Sequence, residues 1–259
     1  MKPALSIIVP YRDRLEHLRR FVPHIQRYFA RDKLDRDIPY SLTIVEQANR
    51  AEFNAGLLRN IGFAMTREGH DYFCFHDVDY LPIWADYSCP TLPTRVIWHG
   101  ADKRPRDAGQ PNLLRHDYQT FFGAVVMLGK DHFQQVNGYS NGYPGWGYED
   151  ADLRERCLAS GLGIALRDGT FEALTHPNRG HNPDMTPSAT AIRNRRRFFA
   201  QFPPDASRQG GMRDGLSDLD YRVVETINLE PIQGERRALS LKIVRVDFGM
   251  AFSPAPAGT

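Results

Sequence analysis

Two aspartates two residues apart, Asp77 and Asp79, close the run YFCFHDVD. Side chains alternate along an extended backbone, so this spacing puts both carboxylates on one side. Two hard oxygen donors there can hold a divalent cation or meet a nucleotide. The same spacing recurs at Asp35 and Asp37, Asp150 and Asp152, and Asp218 and Asp220. Only the pair at 77 and 79 ends an apolar, strand-like run, where the cleft of an α/β sheet lies; a solvated turn is the competing reading. The second constellation is GWGYEDADLRERC, residues 145–157. Gly145 and Gly147 let the backbone bend around Trp146 and expose its ring, a face suited to stacking on a sugar. Glu149 and Asp150 follow, where a helix starts. Acids at a helix start also gain roughly 0.3 to 1 kcal/mol each from the helix dipole, and Asp150 can pair with Arg154 at i+4. That plain account explains the acids and leaves the glycines and the exposed ring without a reason.

His176, in LTHPNRGHNPD, enters a polar loop after a short strand and is a candidate metal ligand, with His181 in the same loop; a structural or solvated histidine is the alternative. In PYRDR, Arg12 and Arg14 stand just past the first strand, where an α/β sheet would place a diphosphate, and the arginine fork matches its oxygens. The run RNRRRFF at residues 193–199 reads as the basic face of a helix, or a contact for an anionic substrate or membrane surface.

These residues need a scaffold, and 259 residues with 41% hydrophobic content can build one large domain or two small ones. Strand-like runs at residues 5–9, 40–45 and 71–75 alternate with helical patterns. The first helix contains Pro23, which predicts a kink or split; the second is capped by Asn54. This alternation predicts an α/β parallel sheet covered by helices. Residues 86–118 read as surface coil, residues 121–129 as a core strand, residues 150–160 as a helix stopped by Gly161, and residues 221–227 and 239–246 as late strands. The balance of 33 basic against 31 acidic residues leaves +2, which gives no reason to expect nucleic acid as a partner. Three cysteines without a CxxC pair argue against a disulfide framework or a cysteine zinc site. The longest apolar run, residues 121–129, is only half the roughly 18 residues of a membrane span, and the start MKPALSIIVP runs straight into a strand, so neither signal peptide nor anchor is expected.

The segments SIIVPYRDRLEHLRRFVPHI, EFNAGLLRNIGF, FHDVDYLPI, FFGAVVML, NGYSNGYPGWGYEDADL and GGMRDGLSDLDYRVV, in that order, resemble the animal beta-1,4-galactosyltransferase family, and within it the proteoglycan-linker branch. The resemblance spans about residues 4–249. It implies a GT-A fold, Rossmann-like with a mixed central sheet, in a single catalytic domain at residues 1–252. Residues 1–80 would form the nucleotide-binding half, 119–252 the acceptor half and 253–259 a frayed tail. It also implies inverting transfer of galactose or a related hexose from a UDP-sugar to a glycan or glycolipid hydroxyl, with Mn2+ or Mg2+. By the resemblance, Pro10, Tyr11, Arg12, Arg14 and Phe53 line the uridine and diphosphate pocket. Asp77 and Val78 touch the nucleotide sugar, Asp79 and His176 bind the metal, and Trp146 packs along the sugars. Glu149 orients the substrate and Asp150 is the base.

The departures from the family pattern are specific. Ala173 and Leu174 stand where relatives carry a third metal ligand, leaving Glu172, His181, water or diphosphate oxygens to complete the shell. Ala151 replaces a third acid, Phe121 a donor-pocket tyrosine, and Pro144 a loop tryptophan. UDP-N-acetylgalactosamine or UDP-glucose as donor, a nucleotide-sugar-binding module without turnover, and a UDP-sugar hydrolase are the rival readings. The expected setting is cytoplasmic, at the inner face of the plasma membrane, as in bacterial polysaccharide assembly.

Overall fold

The run LSIIVPY is buried from end to end, as a strand covered on both faces must be, and forms β1 (Leu5–Tyr11). The computed structural model describes residues 2–31, 37–96, 121–175, 186–203, 214–233 and 237–249. After β1 come α1 (Leu15–Ala30), β2 (Tyr40–Gln47), α2 (Ala55–Thr66), β3 (Tyr72–His76), β4 (Tyr80–Ala85) and β5 (Thr94–Arg95). Then follow β6 (Val125–Gly129), α3 (Lys130–Gln135), α4 (Glu149–Ala159), β7 (Ala165–Leu166) and β8 (Gly169–Ala173). The last elements are α5 (Ala189–Gln201), β9 (Arg222–Asn228) and β10 (Ala238–Asp247).

Eight strands form one sheet in the order β7-β5-β6-β3-β1-β2-β10-β9. The centre β3-β1-β2-β10 is parallel, whereas β6 and β9 flank it antiparallel. The sheet is therefore mixed, with the parallel run predicted by the alternation at its middle. One face carries α1 over a core that includes Leu5, Val9, Phe21 and Ile25; the other carries α2 and α4 over Ile8, Val45, Leu58 and Leu153.

Pro23 neither splits nor ends α1, which runs unbroken over 16 residues. Leu18 and Phe21 before it and Ile25 and Phe29 after it are all buried. At roughly 1.5 to 3 kcal/mol per buried side chain, that stripe outweighs the ~3 kcal/mol an interior proline costs. Asn54 caps α2 as expected, its Oδ1 accepting the Leu57 amide at 3.0 Å. Gly62 lets α2 lie close on the sheet, because a β-carbon there would stand 2.4 Å from Ile8 Cγ2.

The strand β4 lies outside the expected pattern. It pairs antiparallel with β8 in a separate two-stranded sheet, interrupted between Pro82 and Trp84, the short, bulged setting in which a strand proline is tolerated. Residues 121–124 precede β6 rather than belonging to it, and Ala124 adopts φ 67°. Because β6 runs against β3, with Val125 opposite His76, this segment meets the carboxyl end of β3. The turn after β1, the D-x-D after β3 and residues 121–124 thus share one rim of the sheet. Among the described residues, no helix is long and apolar enough to cross a membrane.

Candidate active site

The D-x-D follows β3 directly. The Asp77 amide donates to the Ala124 carbonyl at 2.9 Å, fixing the turn to the segment before β6. Val78 is buried in the core beneath it. Asp79, also buried, accepts from Arg14 Nη1 at 3.2 Å. Arg12 donates to the Ala51 carbonyl at 2.6 Å, and its guanidinium lies 5.4 Å from the Phe53 ring centre. Pro10 and Tyr11, the last residues of β1, are buried. Of the residues expected to line a nucleotide pocket beside the D-x-D, Arg12, Arg14 and Phe53 are the ones whose side chains remain partly open at the rim.

A residue not singled out from the sequence organises the centre. Arg59, on α2, is 3% exposed along its side chain and donates from Nη2 to Asp77 Oδ1 at 2.7 Å. Its Nη1 reaches Asp150 Oδ1 at 3.2 Å and lies 3.8 Å from Glu149 Oε1. The guanidinium also stacks 5.0 Å from the Tyr139 ring centre. One always-charged fork thereby joins the acids that follow β3 to those that start α4. Burial pushes the Asp150 carboxyl well above the usual carboxylate range, and the neighbouring Glu149 charge adds to the rise despite Arg59. Glu149 is raised for the same first reason, with Arg59 opposing.

The turn before α4 sets these acids in place. Gly145, Gly147 and Tyr148 all have positive φ, at 89°, 91° and 75°. For a tyrosine the left-handed region costs on the order of 1 to 3 kcal/mol, and Tyr148 is held there by ring contacts to Phe198 and Phe199 on α5. The Gly145 amide donates to the Phe53 carbonyl at 2.8 Å, tying the turn to the Arg12 loop. Asp150 does not pair with Arg154, which pairs instead with Glu155 at 2.7 Å; the acids therefore serve more than a helix start. Asp152 belongs to another network, in which it accepts from Arg156 and from the Tyr143 hydroxyl at 3.0 Å while Arg156 also holds Asp214 at 2.8 Å.

Trp146 is 43% exposed, as its glycine flanks predict, and lines a groove of about 590 Å³. Phe121 is also exposed, with the Arg95 guanidinium 5.2 Å from its ring centre. Its ring and Asp150 both border Gly123, where a β-carbon would lie 2.8 Å from Phe121 Cε2 and 2.1 Å from Asp150 Oδ2. Phe121 therefore stands beside the candidate base.

His176 and His181 lie outside the described residues. The chain before them passes the D-x-D, because the Leu174 amide donates to the Asp79 carbonyl at 2.7 Å. Ala173 and Leu174 are buried and carry no donor, and Glu172 is taken by Arg20 at 2.6 Å on the α1 side. Among the described residues no cluster of three or more His, Cys, Asp or Glu forms a metal cage. Asp77 and Asp79 offer carboxylate oxygens of the type a hard divalent cation prefers.

A mixed sheet bearing a D-x-D and a second acid pair at one rim is the GT-A fold. Two crystal structures share it: the catalytic domain of Drosophila beta-1,4-galactosyltransferase 7 with xylobiose (TM-score 0.68, 24% identity), and a mutant of that protein with manganese, UDP-Gal and xylobiose (TM-score 0.71, 23% identity). Each match covers 95% of this chain and 94% of that one. Residues 2–90 match the N-terminal region of glycosyl transferase group 7, and residues 105–181 a model described as the N-terminal domain of galactosyltransferase. The chain belongs to this galactosyltransferase family. Beta-1,4-galactosyltransferase 7 of Mus musculus is 32% identical over 225 residues (85% of this chain, 61% of that protein), and its Drosophila melanogaster counterpart 28% over 230 residues (85% and 63%). Xylosylprotein 4-beta-galactosyltransferase of Caenorhabditis elegans is 31% identical over 191 residues (71% and 62%). The chain thus spans about three fifths of the length of these relatives.

Proposed function

We propose that this protein is an inverting galactosyltransferase that moves galactose from UDP-galactose to a hydroxyl of a glycan acceptor, forming a β-linkage. The observation that carries this reading is the Arg59 clamp, which places the D-x-D acid Asp77 and the α4 acid Asp150 on one guanidinium. Donor-side and acceptor-side groups are thereby held in fixed relation, the positioning a two-substrate transfer requires. Family membership, and a structural neighbour that holds manganese, UDP-Gal and xylobiose, support the donor and the metal.

Asp150 Oδ1 is engaged by Arg59, which leaves Oδ2, the oxygen against Gly123, to accept a proton. In the displacement, the acceptor oxygen bonds to the anomeric carbon as the bond from that carbon to the UDP oxygen breaks. The acceptor proton passes to Asp150 Oδ2, and the bonding electrons leave with UDP. A single displacement converts the α-linked donor into a β-linked product. Burial and the neighbouring Glu149 raise the Asp150 pKa, which makes its carboxylate a stronger base. Arg12 and Arg14 stand at the rim to meet diphosphate charge, and Trp146 offers a stacking face to the acceptor sugar. Asp79, with Asp77 beside it and His176 as the further candidate, would hold the manganese, which when bound supplies positive charge to the departing diphosphate.

A UDP-release screen with manganese tests this. It crosses UDP-galactose, UDP-N-acetylgalactosamine and UDP-glucose with xylosides, glucosides and N-acetylglucosaminides. Release that requires both UDP-galactose and an acceptor is the expected result. Release indifferent to acceptor would make the protein a hydrolase, and UDP binding without release in any combination would make it a binding module.

A further inference from the structure

We infer that the groove between the Trp146 turn and α5 holds the carrier of the acceptor sugar, and that this carrier is a lipid phosphate. The inference deepens the transferase reading above and rests on it for the word acceptor. The groove itself rests on geometry. Ile192, Arg195, Arg196 and Phe199 follow the i, i+3, i+4, i+7 spacing that puts residues on one face of a helix, and all four line the groove with Trp146 and Tyr148. Ile192 is 42% exposed and Phe199 41%, so large apolar side chains cluster there in the open, a pattern that marks a binding surface rather than a solvated helix face.

The arginines of α5 divide into two kinds. Arg193 is spent on Glu52 at 2.7 Å and Arg197 on Asp214 at 3.4 Å. Arg195 packs over the Phe199 ring at 5.7 Å, and among the described residues neither it nor Arg196 has an acidic partner. Among the described residues no carboxylate or carboxamide lines the groove. A neutral oligosaccharide could meet the guanidiniums, the Tyr148 hydroxyl and the indole N–H, but it would leave two positive charges without a counter-charge. A free phosphate would gain nothing from the apolar walls. A ligand combining an anionic group with a hydrocarbon chain satisfies both halves of the lining: a phosphate takes charge-assisted hydrogen bonds from the two guanidiniums, and the chain covers Ile192 and Phe199. The groove also adjoins the chemistry, since Tyr148 is the residue immediately before Glu149 and Asp150.

The test is calorimetric titration of the full chain with decyl phosphate below its micelle concentration, alongside decyl glucoside and inorganic phosphate, and pelleting with phosphatidylglycerol vesicles. Decyl phosphate should bind about tenfold tighter than either of the other two soluble probes, and the R195A/R196A double variant should lose that preference by about tenfold. Both side chains are exposed and, among the described residues, without an acidic partner, so the variant should unfold near the wild-type temperature; R195K/R196K, which keeps the charge, should restore most of the preference. Equal affinity for all three soluble probes, or a preference untouched in the alanine variant, would overturn the inference. So would binding to vesicles that depends on both arginines without binding of monomeric decyl phosphate, which would make α5 a membrane contact. Failure of the transferase reading shows separately, as silence in the UDP-release screen. Should transfer occur, the ratio of kcat/KM for a sugar on an alkyl phosphate over the same sugar on a neutral alkyl chain should fall about tenfold in the alanine variant.

Discussion

Asp150 Oδ2 lies 2.1 Å from the point where a β-carbon on Gly123 would stand. The two residues come from different elements, one starting α4 and one preceding β6, and the missing side chain at 123 is what gives the carboxylate its room. Gly123 is not in the left-handed region, so alanine there acts through side-chain contacts, this one and a 2.8 Å approach to Phe121 Cε2. Gly123→Ala should push the carboxylate from its place and lower kcat by about a hundredfold, the order expected for a misplacement near 1 Å. UDP-galactose affinity, measured by calorimetry, should change by less than about threefold. A variant with wild-type turnover would show that Oδ2 takes no part.

Asp150→Asn removes the proposed base and keeps the shape. Turnover should become undetectable while nucleotide-sugar binding persists. In the proposed displacement the deprotonated carboxylate is the active form, so the rate should rise with pH through the Asp150 pKa. Burial, reinforced by Glu149, raises that pKa. The acid limb of kcat/KM should therefore lie above the ordinary aspartate range, and a limb at or below that range would contradict the environment described.

Arg59, itself buried, neutralises part of a group of three half-buried acids. Arg59→Met should abolish transfer and destabilise the fold by about 3 to 5 kcal/mol, the usual consequence of removing one partner from a buried ion pair, read from urea unfolding. Arg59→Lys keeps a charge but cannot fork between Asp77 and Asp150. It should recover stability more fully than activity, which a clamp with a positioning role requires and a purely structural one does not.

Metal dependence gives a fourth check. Chelation should stop UDP release and manganese should restore it. Asp79→Asn removes a carboxylate donor while keeping its volume, and should raise the manganese concentration needed for half-maximal rate by about tenfold or more. An unchanged manganese response would move the metal away from Asp79.

Much of this site is legible in the linear chain, for physical reasons that differ by residue. Asp77 and Asp79 stand out because they end an apolar strand, and strand ends form the rim in α/β sheets. Trp146 stands out because two glycines bracket it, and both adopt positive φ. Arg59 is hidden: on a helix, arginine usually marks the solvated face. Its clue lies in its neighbours, since Leu57, Leu58, Asn60 and Ile61 are all buried around it, so α2 has little exposed face on which to put a charge. The β4–β8 pair is hidden because Pro82 reads as a break and its partner lies beyond β6 and α4 in the chain. Pro23 misleads in the opposite sense, since local propensity is a small term against four buried side chains on the same helix.

In the central sheet, Ala238 stands opposite Tyr40 and Val246 opposite Gln47, so β10 fills the position next to β2. A ribosome therefore releases β1, β2 and β3 long before the strand that completes their sheet exists. Until β10 arrives, β2 presents an unpaired edge of the kind that recruits other chains. Such non-local closure makes folding slow and exposes the nascent protein to aggregation. High-level expression should accordingly benefit from slower synthesis or chaperone supply, and C-terminal deletions reaching residue 238 should yield insoluble protein even though they spare Asp77, Asp79, Glu149 and Asp150.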